Sequence, residues 1–272
     1  MLERLKYKNH INEVIDFGKD GIFVNIGALH DYQWKATSKG NKISKLSRGV
    51  QTRKLPVVIM CATEEEGVAA RNKLFEVVEK DVLAMKHGQI IIGNYYFKCY
   101  VTKSTKSDYL RSQRHMALTL TLSSDRPYWV KESLNVFGIP SPVEDGLDYP
   151  FDYAFDYLSD IAITTLNNTA FVPSNFKLIV YGACSNPAIN IAGHTYQVDC
   201  TINEGEYLTI DSTTKKIYVT KIDGTAVNHF NDRNKDSYIF EKIPSGRNAV
   251  TWDGNYGFDV ILMEERSEPK WT

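Results

Sequence analysis

From residue 161 to the end, the chain is punctuated by short apolar runs with no helical period between them, and this restricts that half to an all-β solution. The runs fall at 176–182, 188–191, 194–202, 206–211, 216–221, 249–253 and 258–264. Turn formers separate them: Gly193, Asn203-Glu204-Gly205, Asp223-Gly224 and Pro244-Ser245-Gly246. Short strands at this spacing close into a sandwich of jelly-roll or galectin-like type, because each strand can bury only alternate side chains and needs a second sheet to cover them.

The first half reads differently. Strand-like runs at 3–8, 13–17 and 21–26 are broken by Asn9, Gly18 and Asp20. A strand at 57–62 leads into Thr63-Glu64-Glu65-Glu66, a capping box in which the Thr63 hydroxyl accepts from the Glu66 amide and the Glu66 carboxylate reaches back. The spacing predicts a helix over about 64–87, with Phe75, Val78, Val82 and Met85 as its apolar stripe and Gly88 as its stop. Gly93-Asn94 marks a two-residue hairpin turn, and Met116, Leu118, Leu120 and Leu122 alternate with small polar residues as a half-buried strand. The fold class is therefore mainly β. An N-terminal β-sandwich-like domain carries one α-helix and a long hairpin (1–135), a linker and strap follow (136–159), and a galectin-like or jelly-roll β-sandwich closes the chain (160–272).

Two segments stand apart. Between Tyr32 and Lys54 lie seven basic residues and no acidic one, around a Ser38-Lys39-Gly40-Asn41 turn, as expected of a long basic hairpin. Tyr32 and Trp34 alternate with Lys35 on its first arm, and Lys39, Lys42, Lys45 and Arg48 continue the charge, so these seven residues are candidates for a contact between copies. The second segment is a short repeat in which Tyr149, Phe151, Tyr153, Phe155 and Tyr157 occupy every second position. In an extended strap these rings face one side and must pack, on their own domain or on a neighbour.

Charge sharpens the division. Residues 1–130 hold 21 Lys+Arg against 13 Asp+Glu, net +8, while the remainder hold 11 against 20, net −9. The two halves either face different surroundings, attract one another between copies, or simply solvate different faces. At 43% hydrophobic and 24% charged, the composition is that of a folded globular chain and not of a disordered or fibrous one. The opening Met1-Leu-Glu-Arg-Leu-Lys-Tyr-Lys lacks the apolar run of an export signal, and no stretch reaches the ~20 apolar residues of a membrane helix, so membrane insertion is not expected.

Reactive constellations are missing from the pattern. No phosphate-binding loop, dinucleotide fingerprint, nucleophile elbow or zinc-protease motif occurs, and Cys61, Cys99, Cys184 and Cys200 have no metal-ligand spacing. No catalytic residue, metal ligand or cofactor is assigned. One run, His229, Asn231 and Arg233 followed by Trp252, partly matches the sugar-binding pattern of galectins and makes a carbohydrate-binding module the alternative function, with host cell-surface glycan as ligand.

The order of parts carries more. The Leu5-Lys-Tyr-Lys-Asn9 opening, Trp34, the Thr-capped helix, the Asp125-Arg-Pro-Tyr-Trp129 run, the Asp148-Tyr-Pro-Phe strap and the closing Ile243-Pro-Ser-Gly-Arg-Asn-Ala-Val-Thr-Trp252 together resemble the distal tail proteins of long-tailed bacteriophages of Gram-positive hosts. That resemblance implies a structural protein and not an enzyme: a hexameric ring at the distal end of the tail tube, assembled in the host cytoplasm and carried in the virion. Its implied partners are further copies of itself, the tube protein, and the tail-tip, tape-measure and receptor-binding proteins, with DNA only in passage through the channel. In the family the basic hairpin is the belt that grips the next subunit.

Overall fold

The structure, a computed structural model, describes residues 5–108, 112–139 and 162–270, which form two compact units. One unit runs up to Lys131 and takes back the chain from Glu265 onward; the other spans Glu132–Glu264.

The first unit is built from β1 (Leu5–Lys8), β2 (Val14–Asp16), β3 (Ile22–Val24), β4 (Lys35–Lys39), β5 (Lys42–Ser47), β6 (Gln51–Met60), α1 (Glu64–Leu83), β7 (Gly88–Ile92), β8 (Tyr95–Asp108), β9 (His115–Ser124) and the start of β10 (Trp129–Phe137). Strand β8 is long enough to serve two neighbourhoods. Its first half pairs antiparallel with β7, which continues to β1 and β2, and its second half pairs with β9, which continues to β6 and β3. The switch of partner falls between Cys99 and Tyr100, and register irregularities follow at Val101/Lys103 and Lys106/Asp108. Alternation is strict on β9, where Met116, Leu118, Leu120 and Leu122 are buried and the residues between them are not.

Helix α1 closes this core. Its Thr63–Glu66 capping box forms as the residues dictate, with the Glu66 amide donating to Thr63 Oγ1 at 3.2 Å and the Thr63 amide to Glu66 Oε2 at 3.2 Å. The buried face, however, runs through Ala70, Leu74, Val77, Val78 and Asp81. Of the stripe read from the sequence only Val78 is buried; Phe75 is 63% exposed and Met85 76%. Close approach at Gly67 explains the rotation, since a Cβ there would lie 2.3 Å from the Gln113 carbonyl oxygen. The helix also ends at Leu83, not near residue 87, because Met85 takes the left-handed conformation (φ 50°) that sequence reasoning assigned to Gly88. Gly88 is needed for space: a Cβ would sit 2.2 Å from both Asp81 Oδ2 and the Tyr7 hydroxyl.

Those two groups form the buried polar centre of the unit. The Tyr7 hydroxyl donates to Asp81 Oδ2 at 2.5 Å, and the His10 amide donates to Asp81 Oδ1 at 2.8 Å with the His10 ring Nδ1 at 2.6 Å from the same oxygen. Burial, reinforced by the Asp81 carboxylate, holds the Tyr7 phenol far above its ordinary pKa. A second clamp fixes the segment that precedes β4: the Leu29 carbonyl accepts from Trp129 Nε1 at 3.2 Å and from the Arg53 guanidinium, which lies 4.5 Å from the Phe97 ring centroid. Desolvation lowers the Arg53 pKa to about 10.

The second unit contains β11 (Ala162–Asn168), β12 (Asn175–Tyr181), β13 (Cys184–Ser185), β14 (Ala188–Ile191), β15 (His194–Gln197), β16 (Thr201–Ile202), β17 (Tyr207–Asp211), β18 (Lys216–Thr220), β19 (Ala226–Asn228), β20 (Gly246–Trp252) and most of β21 (Phe258–Arg266). Strands β19, β18, β17, β12 and β21 pair in that order, and β11, β20, β14 and β15 form the facing sheet. Leu178, Leu208, Val219 and Val260 of the first layer and Leu166, Ile191 and Val250 of the second share one core, which makes this unit a β-sandwich. At one edge, Asn168 Nδ2 donates to the carbonyls of Ile243 and Pro244 at 3.0 and 3.1 Å, satisfying backbone that a loop would otherwise bury unpaired.

Candidate functional site

Strands β4 and β5 form the basic hairpin, turning at Gly40, whose φ of 61° a residue with a Cβ rarely adopts. They hydrogen-bond to each other and, among the described residues, to no further strand. Second arm and sheet are separate elements: the chain leaves β5 at Ser47 and enters the main sheet as β6 at Gln51.

The register sorts the hairpin's side chains. Lys39 lies opposite Lys42, Thr37 opposite Lys45 and Lys35 opposite Ser47; Ser38 lies opposite Ile43 and Ala36 opposite Leu46. Opposed residues share a face, and the irregularity between Thr37 and Ser38 shifts the alternation on β5 by one residue. The result is a two-faced hairpin. Lys35, Lys39, Lys42 and Lys45 occupy one face, while Ala36, Ile43 and Leu46 occupy the other. Ile43 and Leu46 were missed in the sequence because their separation of three residues matches no strand period; only the bulge brings them together. Ser44, the extra residue, is tied by its hydroxyl to the Thr37 carbonyl at 2.9 Å. Ile43 is 65% exposed and Leu46 57%, so the apolar face is uncovered along its length.

Arg48 roots the hairpin. Its guanidinium lies 4.6 Å from the Trp34 ring centroid, 4.9 Å from that of Tyr128 and 5.8 Å from that of Tyr32, and Nη1 donates to the Pro127 carbonyl at 2.8 Å. Desolvation lowers its pKa. Across the base, Gln51 Nε2 donates to the Gln33 carbonyl. The structure thus brings Tyr32, Trp34 and Arg48 into one cluster at the base, and spreads Lys35, Lys39, Lys42 and Lys45 over the arm above it. Tyr128 belongs to that cluster too, a partner that sequence distance concealed.

The sugar-binding run is not brought together. Trp252 is 6% exposed, donates through Nε1 to the Tyr256 carbonyl at 3.0 Å and packs edge-on against Phe258 at 5.0 Å. With both ring faces in the core it offers no stacking surface to a sugar. His229 is tied to Asp232 at 2.8 Å, and the Arg233 guanidinium lies 4.1 Å from the Phe230 ring centroid. Of the four residues expected as a sugar patch, His229, Asn231, Arg233 and Trp252, the tryptophan is a core residue, and His229 and Arg233 are held against Asp232 and Phe230 of their own turn. The aromatic strap of Tyr149, Phe151, Tyr153, Phe155 and Tyr157 lies outside the described residues. Among the described residues, no group of three or more His, Cys, Asp and Glu side chains is disposed to hold a metal ion, and no helix is long and apolar enough to cross a membrane.

No family model matches the chain, and no curated protein matches it by sequence. Solved structures do. The SPP1 Dit protein, described as a paradigm of the hub adsorption apparatus in phages infecting Gram-positive hosts, superposes with a TM-score of 0.61 at 10% identity, covering 98% of this chain and 100% of its own. A chain of the phage P2 baseplate in its calcium-activated conformation gives a TM-score of 0.66 at 12% identity, and the strontium form 0.63 at 14%, each covering 99% of this chain and all of the other. The described residues therefore share their fold with SPP1 Dit and with a chain of the phage P2 baseplate.

Proposed function

We propose that this protein is the hub at the distal end of a phage tail: copies of it form a ring, hexameric by the family resemblance, that joins the tail tube to the tail-tip and receptor-binding proteins. The whole-length likeness to hub and baseplate proteins carries the reading. Its action is assembly geometry and not catalysis.

The hairpin supplies the intersubunit contact in this account. A lone two-stranded hairpin is marginally stable in water, and an arm with Ile43 and Leu46 on its open face gains from any surface that covers them. Presented to a different surface of the next copy, it makes a head-to-tail contact, the kind that closes into a ring when the rotation between copies allows. Tyr32, Trp34 and Arg48 hold the arm's angle, and Lys35, Lys39, Lys42 and Lys45 give the opposite face its charge. Cross-linking of an equal mixture of unlabelled and nitrogen-15 chains tests this. Lys39, Lys42 and Lys45 should yield mixed-label cross-links between copies; cross-links confined to single-label pairs would exclude the hairpin from the contact.

A further inference from the structure

Away from the hairpin, the outward face of β1, β7 and β8 carries a second concentration of positive charge. Lys8 on β1 lies opposite Gln89 on β7, and Gln89 lies opposite Lys98 on β8, so the three stand in one row across adjacent strands. Neighbouring strands are ~4.8 Å apart, which leaves two lysines flanking one amide at a separation their flexible stems can close. Residues following α1 wall off the row on one side, making a cleft of about 410 Å³ lined also by His10, Lys86 and His87. No carboxylate lines it. Three acids border it, and all are engaged: Asp81 with Tyr7 and His10, Asp125 with His87 at 3.0 Å, and Glu13, whose carboxylate accepts from Asn9 Nδ2 and from Lys80 Nζ, each at 2.7 Å. Lys8, Lys86 and Lys98 make no ion pair among the described residues, although Lys98 lies 5.8 Å from the Tyr96 ring centroid.

Lys86 follows the C-terminal end of α1, where a cation favours the helix dipole whatever else it does. Lys8 and Lys98 have no such role. Two unneutralised ammonium groups held on either side of an amide donor raise their mutual repulsion and lower it again only when an anion sits between them.

We propose that this cleft is a binding site for a multivalent phosphate anion, with Lys8 and Lys98 as its charged jaws and the Gln89 amide as its floor. Phosphate fits the donor set better than a carboxylate does: ammonium groups act as point charges around a tetrahedral anion, whereas a planar carboxylate is matched by the guanidinium fork, and no arginine lines the cleft. This site is independent of the hub reading and does not involve the hairpin.

Calorimetric titration of the full chain with sodium tripolyphosphate tests it, with orthophosphate as the monovalent-site comparison and citrate as a trivalent carboxylate. The paired variant Lys8→Gln/Lys98→Gln removes two charges from the cleft, and Lys54→Gln/Lys103→Gln removes two exposed charges elsewhere in the same unit; calorimetric melting confirms that each remains folded. The expected result is saturable tripolyphosphate binding, weaker for orthophosphate and for citrate, and lowered at least about tenfold in affinity only by the cleft pair. Equal weakening by both pairs, citrate binding as tightly as tripolyphosphate, or no saturable binding by the unaltered chain would overturn the assignment.

Discussion

Replacing Asp81 with alanine removes the acceptor at the centre of the first unit while leaving its apolar contacts in place. The Tyr7 hydroxyl, on a side chain with no solvent exposure, then loses its partner at 2.5 Å, and the His10 amide loses its partner at 2.8 Å. An unsatisfied buried donor costs about 1–3 kcal/mol, and the half-buried His10 group lies at the low end of that range, so the loss comes to about 3 kcal/mol. For a unit of this size, 1 kcal/mol moves the melting temperature by about 3–4 °C, which places the expected fall near 10 °C. Tyr7→Phe removes one donor only and leaves Asp81 bonded to His10, so its loss should be smaller, about 2 kcal/mol. Differential scanning calorimetry gives the shift, and hydrogen-exchange mass spectrometry locates it: protection should fall in residues 5–10 and 74–92 and hold in 175–181. A shift below about 2 °C, or a loss of protection confined to the second unit, would refute the assignment of Asp81 as the polar keystone of the helix–sheet contact.

Trp252→Ala should behave as a core truncation of the sandwich, lowering the stability of the second unit by about 3–5 kcal/mol in urea unfolding; a change under about 1 kcal/mol would reopen the ring as a surface feature. Thiol reactivity offers a further check. Burial pushes the Cys99 thiol up to about 12 and the Cys184 and Cys200 thiols up to about 11. A raised thiol pKa favours the neutral form, so at pH 8 the buried Cys99 and Cys200 should react with a disulfide reagent only after denaturation, and the partly exposed Cys184 slowly; rapid reaction of Cys99 and Cys200 in the folded chain, located by peptide mapping, would contradict the packing.

The sequence exposes those parts of the fold whose signals are local. The capping box at Thr63 and Glu66, the alternation from Met116 to Leu122 and the Gly93-Asn94 turn each depend on neighbours within a few residues, and each is where the residues place it. What depends on distant partners is hidden. The face of α1 is chosen by the backbone of Gln113 and by Tyr7, so the stripe through Phe75 and Met85 misleads despite its helical spacing. Trp252 shows the same dependence: its register opposite Ala162 and its contact with Phe258 draw it into the core, which its neighbours in sequence do not announce. The hairpin shows both at once. Its charge and turn are legible, whereas the sorting of its lysines from Ile43 and Leu46 follows from a bulge that no periodicity announces. The cleft of Lys8, Gln89 and Lys98 joins three strands spread over some ninety positions and exists only in the register.

The central claim is that copies of this chain assemble through the hairpin. Light scattering across a concentration series, on the intact chain and on Ile43→Asp/Leu46→Asp, tests it most directly, because both positions are exposed in the single chain and the substitutions should alter its stability by no more than about 0.5 kcal/mol. The account predicts a mass that rises with concentration to that of a hexamer for the intact chain, and the mass of a smaller species at every concentration for the variant. An intact chain that stays monomeric throughout, or a variant that assembles as the intact chain does, would contradict it.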